Sequence, residues 1–237
     1  SSAASDVYKR QNIMSRVCTG DGIDIVGCED VTMRNSFIRA SDDCVCIKAA
    51  SYPDPAANRN VKNILVEHCV LWNAEPGNAV EIGYEVRCDE ISDITFRDLD
   101  IVHCEYEGNQ SGGVLTIHNA DRAHIHDIVY EDIRVEDAQE KFVDIKVLDS
   151  KYSLDRKRGS VENIYFRNVE ILNGNFPVSI IRGFEMHTEM SRPRNIYFDN
   201  VVVLGKQVES PSDLHMVVEL SDDILFNGTA HAKRNPF

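Results

Sequence analysis

The chain has 237 residues, 43% apolar and 27% charged, with a formal net charge of −14 and a pI near 4.9. That length supports one domain with a sizeable core. The acidic balance argues against nucleic acid or an anionic membrane surface as partner, and no stretch approaches the roughly 20 apolar residues of a membrane-spanning helix.

Ser1–Gln11, S-S-A-A-S-D-V-Y-K-R-Q, resembles the in-frame translation of an adaptor used to prepare sequencing libraries and is expected to lie outside the fold. On that reading residues 12–237 form a single domain whose natural N-terminus and first coils are missing, and the want of a leader peptide says nothing about location. Seven cysteines form an odd set with no C-x-x-C pair. Cys28, Cys44, Cys46, Cys69 and Cys104 lie in or beside apolar strands, where a thiol packs as a small hydrophobe. Free thiols are therefore expected rather than a disulfide framework or a metal site, which leans toward a reducing compartment such as the cytoplasm.

From Asp30 onward the chain repeats. An Asn or Asp followed by a β-branched residue recurs at Asp30-Val31, Asn63-Ile64, Asp93-Ile94, Asp127-Ile128, Asn163-Ile164 and Asn195-Ile196, in steps of 33, 30, 34, 36 and 32 residues. Four residues after each β-branched residue stands a polar turn former: Asn35, His68, Asp98, Asp132, Asn168 or Asn200. Three further on comes an aliphatic one, and later in each unit a third strand is centred on Ile47, Ile82, Ile117, Ile145, Ile180 and near Val218. Each unit thus reads strand, one-residue corner, strand, longer loop, strand. Asn and Asp suit the corner because they tolerate left-handed backbone angles. Period-two alternation pervades the region and helical periodicity does not. Leucine-rich and ankyrin repeats need a helix per unit, and a propeller blade needs four strands. What remains is an all-β, right-handed parallel β-helix of about six to seven coils, each touching only its neighbours.

The stretch Thr19–Lys48 concentrates the chemistry. Asp21 stands four residues before Ile25, and Asp43 four before Ile47. On neighbouring coils these carboxylates would stack roughly 4.8 Å apart, with Asp42 beside them. Crowded like charges raise at least one pKa, as a general acid requires. On the third strand the central Ile points inward, so its neighbours are expected to face out. They include Lys48, Glu81, Thr116, His118, Asp144, Lys146, Ser179 and Ile181, with Asn78 at a strand entrance. Asn78, Glu81, Lys48, His118 and Lys146 are candidate substrate contacts on this face. Trp72 is balanced between a core edge and a sugar-stacking platform, and Tyr84 is a second aromatic able to stack. No phosphate loop, Ser/His/Asp order or metal-ligand spacing is present, so no cofactor or metal is expected.

G-D-G-I-D-I at Gly20–Ile25, followed one coil later by S-D-D-C-V-C-I-K at Ser41–Lys48, resembles the N-T-D-G-I-D and D-D-C-I-A-I-K motifs of the polygalacturonases of glycoside hydrolase family 28. The resemblance implies an inverting glycoside hydrolase on a parallel β-helix, acting on a polysaccharide or oligosaccharide; a monomer is expected. It implies Asp42 as general acid and Asp21 and Asp43 as the carboxylates that hold and activate water. In an inverting enzyme such groups are expected ~6.5–9.5 Å apart. Two motifs depart. Gly77-Asn78-Ala79 stands where the family has G-H-G, and Thr116-Ile117-His118 where it has Arg-Ile-Lys. The Arg/Lys pair would bind a uronate carboxylate, so its loss favours a neutral or differently placed sugar. The run Glu81–Arg87 also resembles, more distantly, β-helix hydrolases of dextranase-like families. A polysaccharide lyase or a non-catalytic carbohydrate-binding β-helix are the competing readings.

Overall fold

A computed structural model of the chain describes residues 12–49, 58–74, 76–105, 112–139, 141–175 and 178–230. The adaptor-like segment, and with it the expectation that it is foreign to the fold, lies outside the described residues. Two large parallel sheets wind around one core. Five long strands, Val61–Asn73, Glu90–Cys104, His124–Val135, Ser160–Ile171 and Arg194–Val203, stack in the first sheet. The second sheet is a pile of seven short strands, running in order from Ile23–Val26 through Val45–Ala49, Val80–Val86, Gly113–Asn119, Lys141–Val147 and Ser179–Arg182 to Met216–Glu219. Each coil contributes to both sheets, which makes the molecule a parallel β-solenoid. Five coils have an unbroken long strand, so the solenoid has about five turns, fewer than the six to seven expected.

The polar repeats set the corners. Asn35, His68, Asp98, Asp132, Asn168 and Asn200 all adopt positive φ, between 50° and 55°. So do Asp30, Asn63, Asp93, Asp127, Asn163 and Asn195, between 54° and 59°. Each coil therefore bends at two left-handed residues where the sequence suggested one corner and one strand start. A non-glycine residue in this region costs about 1–2 kcal/mol, least for Asn and Asp. Amide ladders between coils offset part of that cost: Asn63 Nδ2 donates to Asp30 Oδ1 at 2.6 Å, Asn168 Nδ2 to Asp132 Oδ1 at 2.9 Å, and Asn200 Nδ2 to Asn168 Oδ1 at 2.9 Å.

Inside, equivalent residues stack coil on coil. Ile25 pairs with Ile47, Ile47 with Ile82, Ile82 with Ile117 and Ile117 with Ile145. Phe96, Tyr130, Phe166, Phe198 and Phe226 form an aromatic column with ring centroids 4.7–5.1 Å apart and planes within 9° of parallel. All seven cysteines are free, and five are buried. The expected inward column slips by one residue at its far end: Ile145 pairs with Ile181, which is fully buried, while Ile180 pairs with Asp144. Ile181 therefore does not face outward as expected. No helix among the described residues is long and apolar enough to cross a membrane.

Candidate active site

Asp21 precedes the strand Ile23–Val26, and Asp42 and Asp43 precede Val45–Ala49. The two entrances stack through backbone bonds: Gly22 N donates to the Asp43 carbonyl at 2.8 Å, and Ile23 N to the Cys44 carbonyl at 3.0 Å. The equal offsets read from the sequence thus place the carboxylates side by side, with one oxygen from each of the three within 4.8 Å of the others. This is tighter than the separation expected of an inverting pair. Gly77, with φ of +103°, backs the cluster. A Cβ there would lie 2.5 Å from the Asp42 carbonyl carbon and 2.6 Å from its Oδ1, so only glycine lets the Asp42 carboxyl sit where it does.

The three acids occupy different environments. Asp43 is almost fully buried, and its Oδ1 accepts from Asn78 N at 2.9 Å and Asn78 Nδ2 at 2.7 Å. Burial, then the charge of Glu81, push its carboxyl well above the usual range against the pull of Asn78. Asp42 is half-buried; desolvation and the Asp21 charge push it up to about 6, with Lys48 opposing. Asp21 is ion-paired with Lys48 Nζ at 2.8 Å, and the same ammonium lies 3.3 Å from Asp24. Burial opposes the Lys48 charge, but these carboxylates keep its pKa above the ordinary value. Burial raises Asp24 as well, and Lys48 restrains it. The trio converges closely enough to hold a cation, and the Lys48 ammonium already brings positive charge to its edge.

The trio opens into a cleft of about 590 Å³, lined also by Lys48, Asn78, Tyr84, Glu85, Lys151 and Tyr152. Of the expected substrate contacts, Asn78 and Lys48 reach this lining; Glu81, His118, Lys146 and Trp72 do not. Trp72 is 40% exposed, packs edge-on to His103 at 5.8 Å and has the Arg39 guanidinium 5.9 Å from its ring. Asn78 does not stand free as a substrate ligand either, because its Oδ1 accepts from Gly113 N at 2.8 Å and ties Asp43 to the next coil.

The outward face of the third strand proves to be covered rather than open. Cys46, Glu81, Thr116, His118, Asp144 and Ser179 are all buried. Tyr84 stacks on His118, and the polar groups bond one another except at His118 Nε2 and Asp144 Oδ1, which have no hydrogen-bond partner among the described residues. His118 Nδ1 lies 2.9 Å from Glu81 Oε1. Its Nε2 is 3.3 Å from Asp144 Oδ2, an ion-pair distance rather than an aligned hydrogen bond. Asp144 Oδ2 in turn accepts from Lys146 Nζ at 2.8 Å, and Thr116 Oγ1 bonds the Glu81 carboxylate. Burial alone would lower the His118 imidazole, but Glu81 and Asp144 outweigh it and hold it up at about 9. Asp144 stays ionised: burial works against its charge, yet His118, Lys146 and Lys141 keep it below the usual range. Sequence reasoning missed Gly77, Glu85, Lys151 and Tyr152 as parts of the cleft. The last two lie in the loop Asp149–Gly159, whose sequence carries no periodic signal.

The model of the glycosyl hydrolases family 28 matches residues 9–147. That span takes in both aspartate motifs, the Gly77-Asn78-Ala79 turn and the buried chain as far as Lys146. Among curated proteins no match is found.

Proposed function

The chain belongs to glycosyl hydrolases family 28, and from that premise we propose that it hydrolyses a glycosidic bond of a polysaccharide or oligosaccharide at the aspartate trio, with inversion at the anomeric carbon. The observation that carries this reading is the convergence of three acids in three environments. Asp42, protonated up to about pH 6 and open to the cleft, donates its proton to the leaving oxygen as the bond to the anomeric carbon breaks. Asp21, held against Lys48, accepts a proton from the attacking water. Asp43, clamped by Asn78, helps to hold that water. A water bonded to two oxygens at ~2.7 Å each spans an oxygen–oxygen separation of up to about 5.4 Å, so the 4.8 Å cluster has room for one. Proton and hydroxide end on the two products, and before the next turnover Asp42 regains a proton from solvent while Asp21 releases the one it took.

A neutral sugar fits the cleft better than a uronate. Lys48 is committed to Asp21 and Asp24, and His118, Lys141 and Lys146 surround Asp144 under the surface. Among the described residues no arginine lines the cleft, so no guanidinium fork is offered to a sugar carboxylate.

The closeness of the carboxylates also suits a retaining double displacement, in which one of them attacks the anomeric carbon. One experiment separates the two. Wild type and Asp42→Asn are incubated with neutral α-glucan and galactan oligosaccharides and with oligogalacturonides, and the first anomer released is followed by NMR. Inversion, lost in Asp42→Asn, is the expected result. Retention would move the nucleophile's role onto Asp21 or Asp43, and no turnover of any substrate would sink the hydrolase reading.

A further inference from the structure

Beside the trio the cleft wall is aromatic. The Tyr84 ring lies flat on the buried His118 imidazole, centroids 4.6 Å apart and planes at 20°. Tyr152 leans on Tyr84 at 5.4 Å, and the Lys151 ammonium sits 4.8 Å from the Tyr152 ring centre. Tyr152 is 43% exposed, a large ring displayed on a cleft whose other lining is mostly polar or charged. Tyr84 and Tyr152 are 68 residues apart, two coils along the solenoid, so the second must be carried back to the first.

The loop that carries it is fastened at several points. Asp121 Oδ1 accepts from Leu154 N and Asp155 N, each at 2.7 Å. Asp155 accepts from Arg87 Nε at 3.1 Å and Arg122 Nη1 at 2.9 Å, on two earlier coils. Ser153 Oγ accepts from Ser150 N at 3.0 Å and Arg158 Nη1 at 2.6 Å. Such fixing lowers the ordering cost that a ligand would otherwise meet on docking against the loop. The imidazolium under Tyr84 polarises that ring from behind.

We propose that Tyr84 and Tyr152 form a sugar-stacking subsite that takes the apolar face of one neutral pyranose ring, next to the bond cleaved at the trio. The assignment rests on the hydrolase reading only in taking the cleft's ligand to be a carbohydrate. The C–H face of the sugar covers the tyrosine rings, and its hydroxyls are left toward Glu85 and Lys151. Tyr152 thereby sets affinity and position, and takes no part in bond breaking.

The test measures calorimetric binding of neutral and acidic oligosaccharides to Asp42→Asn, alone and combined with Tyr152→Ala, Tyr152→Phe or Lys151→Met, with kinetics of the same Tyr152 and Lys151 changes in the active chain. Tyr152→Ala is expected to weaken binding of a neutral oligosaccharide about tenfold and to raise KM with kcat nearly kept. Tyr152→Phe should stay within about twofold, since stacking uses the ring. Turnover in wild type with unchanged KM and binding in Tyr152→Ala would overturn the subsite and leave hydrolysis standing. Binding that depends on Tyr152, with no turnover in wild type, would keep the subsite and remove the hydrolase reading. Preference for an acidic oligosaccharide, lost in Lys151→Met, would overturn the neutral ring, and so would failure of every neutral oligosaccharide to bind.

Discussion

At the scale of single residues, the burial that raises the aspartates' affinity for protons costs stability at neutral pH. Asp43 binds its proton more tightly in the folded chain than in the unfolded one, as does Asp42. Their protonated forms favour folding fully below the unfolded value near 3.8, and that contribution is lost as pH rises toward the raised folded values. Asp43→Asn removes the buried charge and leaves an oxygen for Asn78, so at pH 7.5 its melting temperature is expected above wild type by about 2–4 °C. The gap should close at pH 4, and activity should fall sharply; calorimetry at both pH values with a rate assay checks both statements. Asp42 governs the other end of the pH profile. On the proposed mechanism Asp42 must carry its proton to act as acid, so kcat/KM is expected to fall as pH rises through about 6. Asp42→Asn should lose roughly 10²–10⁴ of the rate and flatten that limb. Gly77→Ala is expected to fold but to cost on the order of 10²-fold in activity by displacing the Asp42 carboxyl.

At the scale of strands, the columns that build the coil also carry its stability. Tyr130 sits in the aromatic column with its hydroxyl buried and without a hydrogen-bond partner among the described residues. Tyr130→Phe is therefore expected to stabilise the chain by about 1 kcal/mol, whereas Phe166→Ala should cost about 3–5 kcal/mol; urea denaturation of both variants measures the difference. The sequence made these columns readable because the repeat is strict and the corner residues are chemically distinctive. Asp21 and Asp43 could be aligned for the same reason, since their offsets from Ile25 and Ile47 are equal. Other features left no such trace. Ser179-Ile180-Ile181-Arg182 holds two adjacent isoleucines, and alternation cannot say which one points inward. Glu81 and His118 look like an exposed polar pair, and only packing that the sequence does not show, such as the Tyr84 ring on His118, makes them an internal ion pair. The path of Asp149–Gly159 back toward Tyr84 depends on single hydrogen bonds to Asp121, Arg87 and Arg122, and no pattern in the loop announces them.

At the scale of the whole molecule, a solenoid is held by contacts between neighbouring coils, so its coils differ in stability with position. Among the described residues, the strand Ile23–Val26 is the last in the seven-stranded sheet and has a parallel partner on one side only. Nearby, Met14, Val17 and Val26 are exposed. Central strands such as Gly113–Asn119 are paired on both sides and buried throughout. Hydrogen exchange is expected to show amides of residues 21–26 opening well before those of 113–119, and equal protection in both would contradict this gradient. Asp21 rides on that outer coil, while Asp42 and Asp43 belong to the next one in. On the proposed mechanism the trio is complete only while this coil stays docked, so in this chain the proposed reaction has a thermal fuse separate from the fold. On gentle warming the chain should fall silent while its circular dichroism still reports an intact solenoid, and it should recover its rate on cooling.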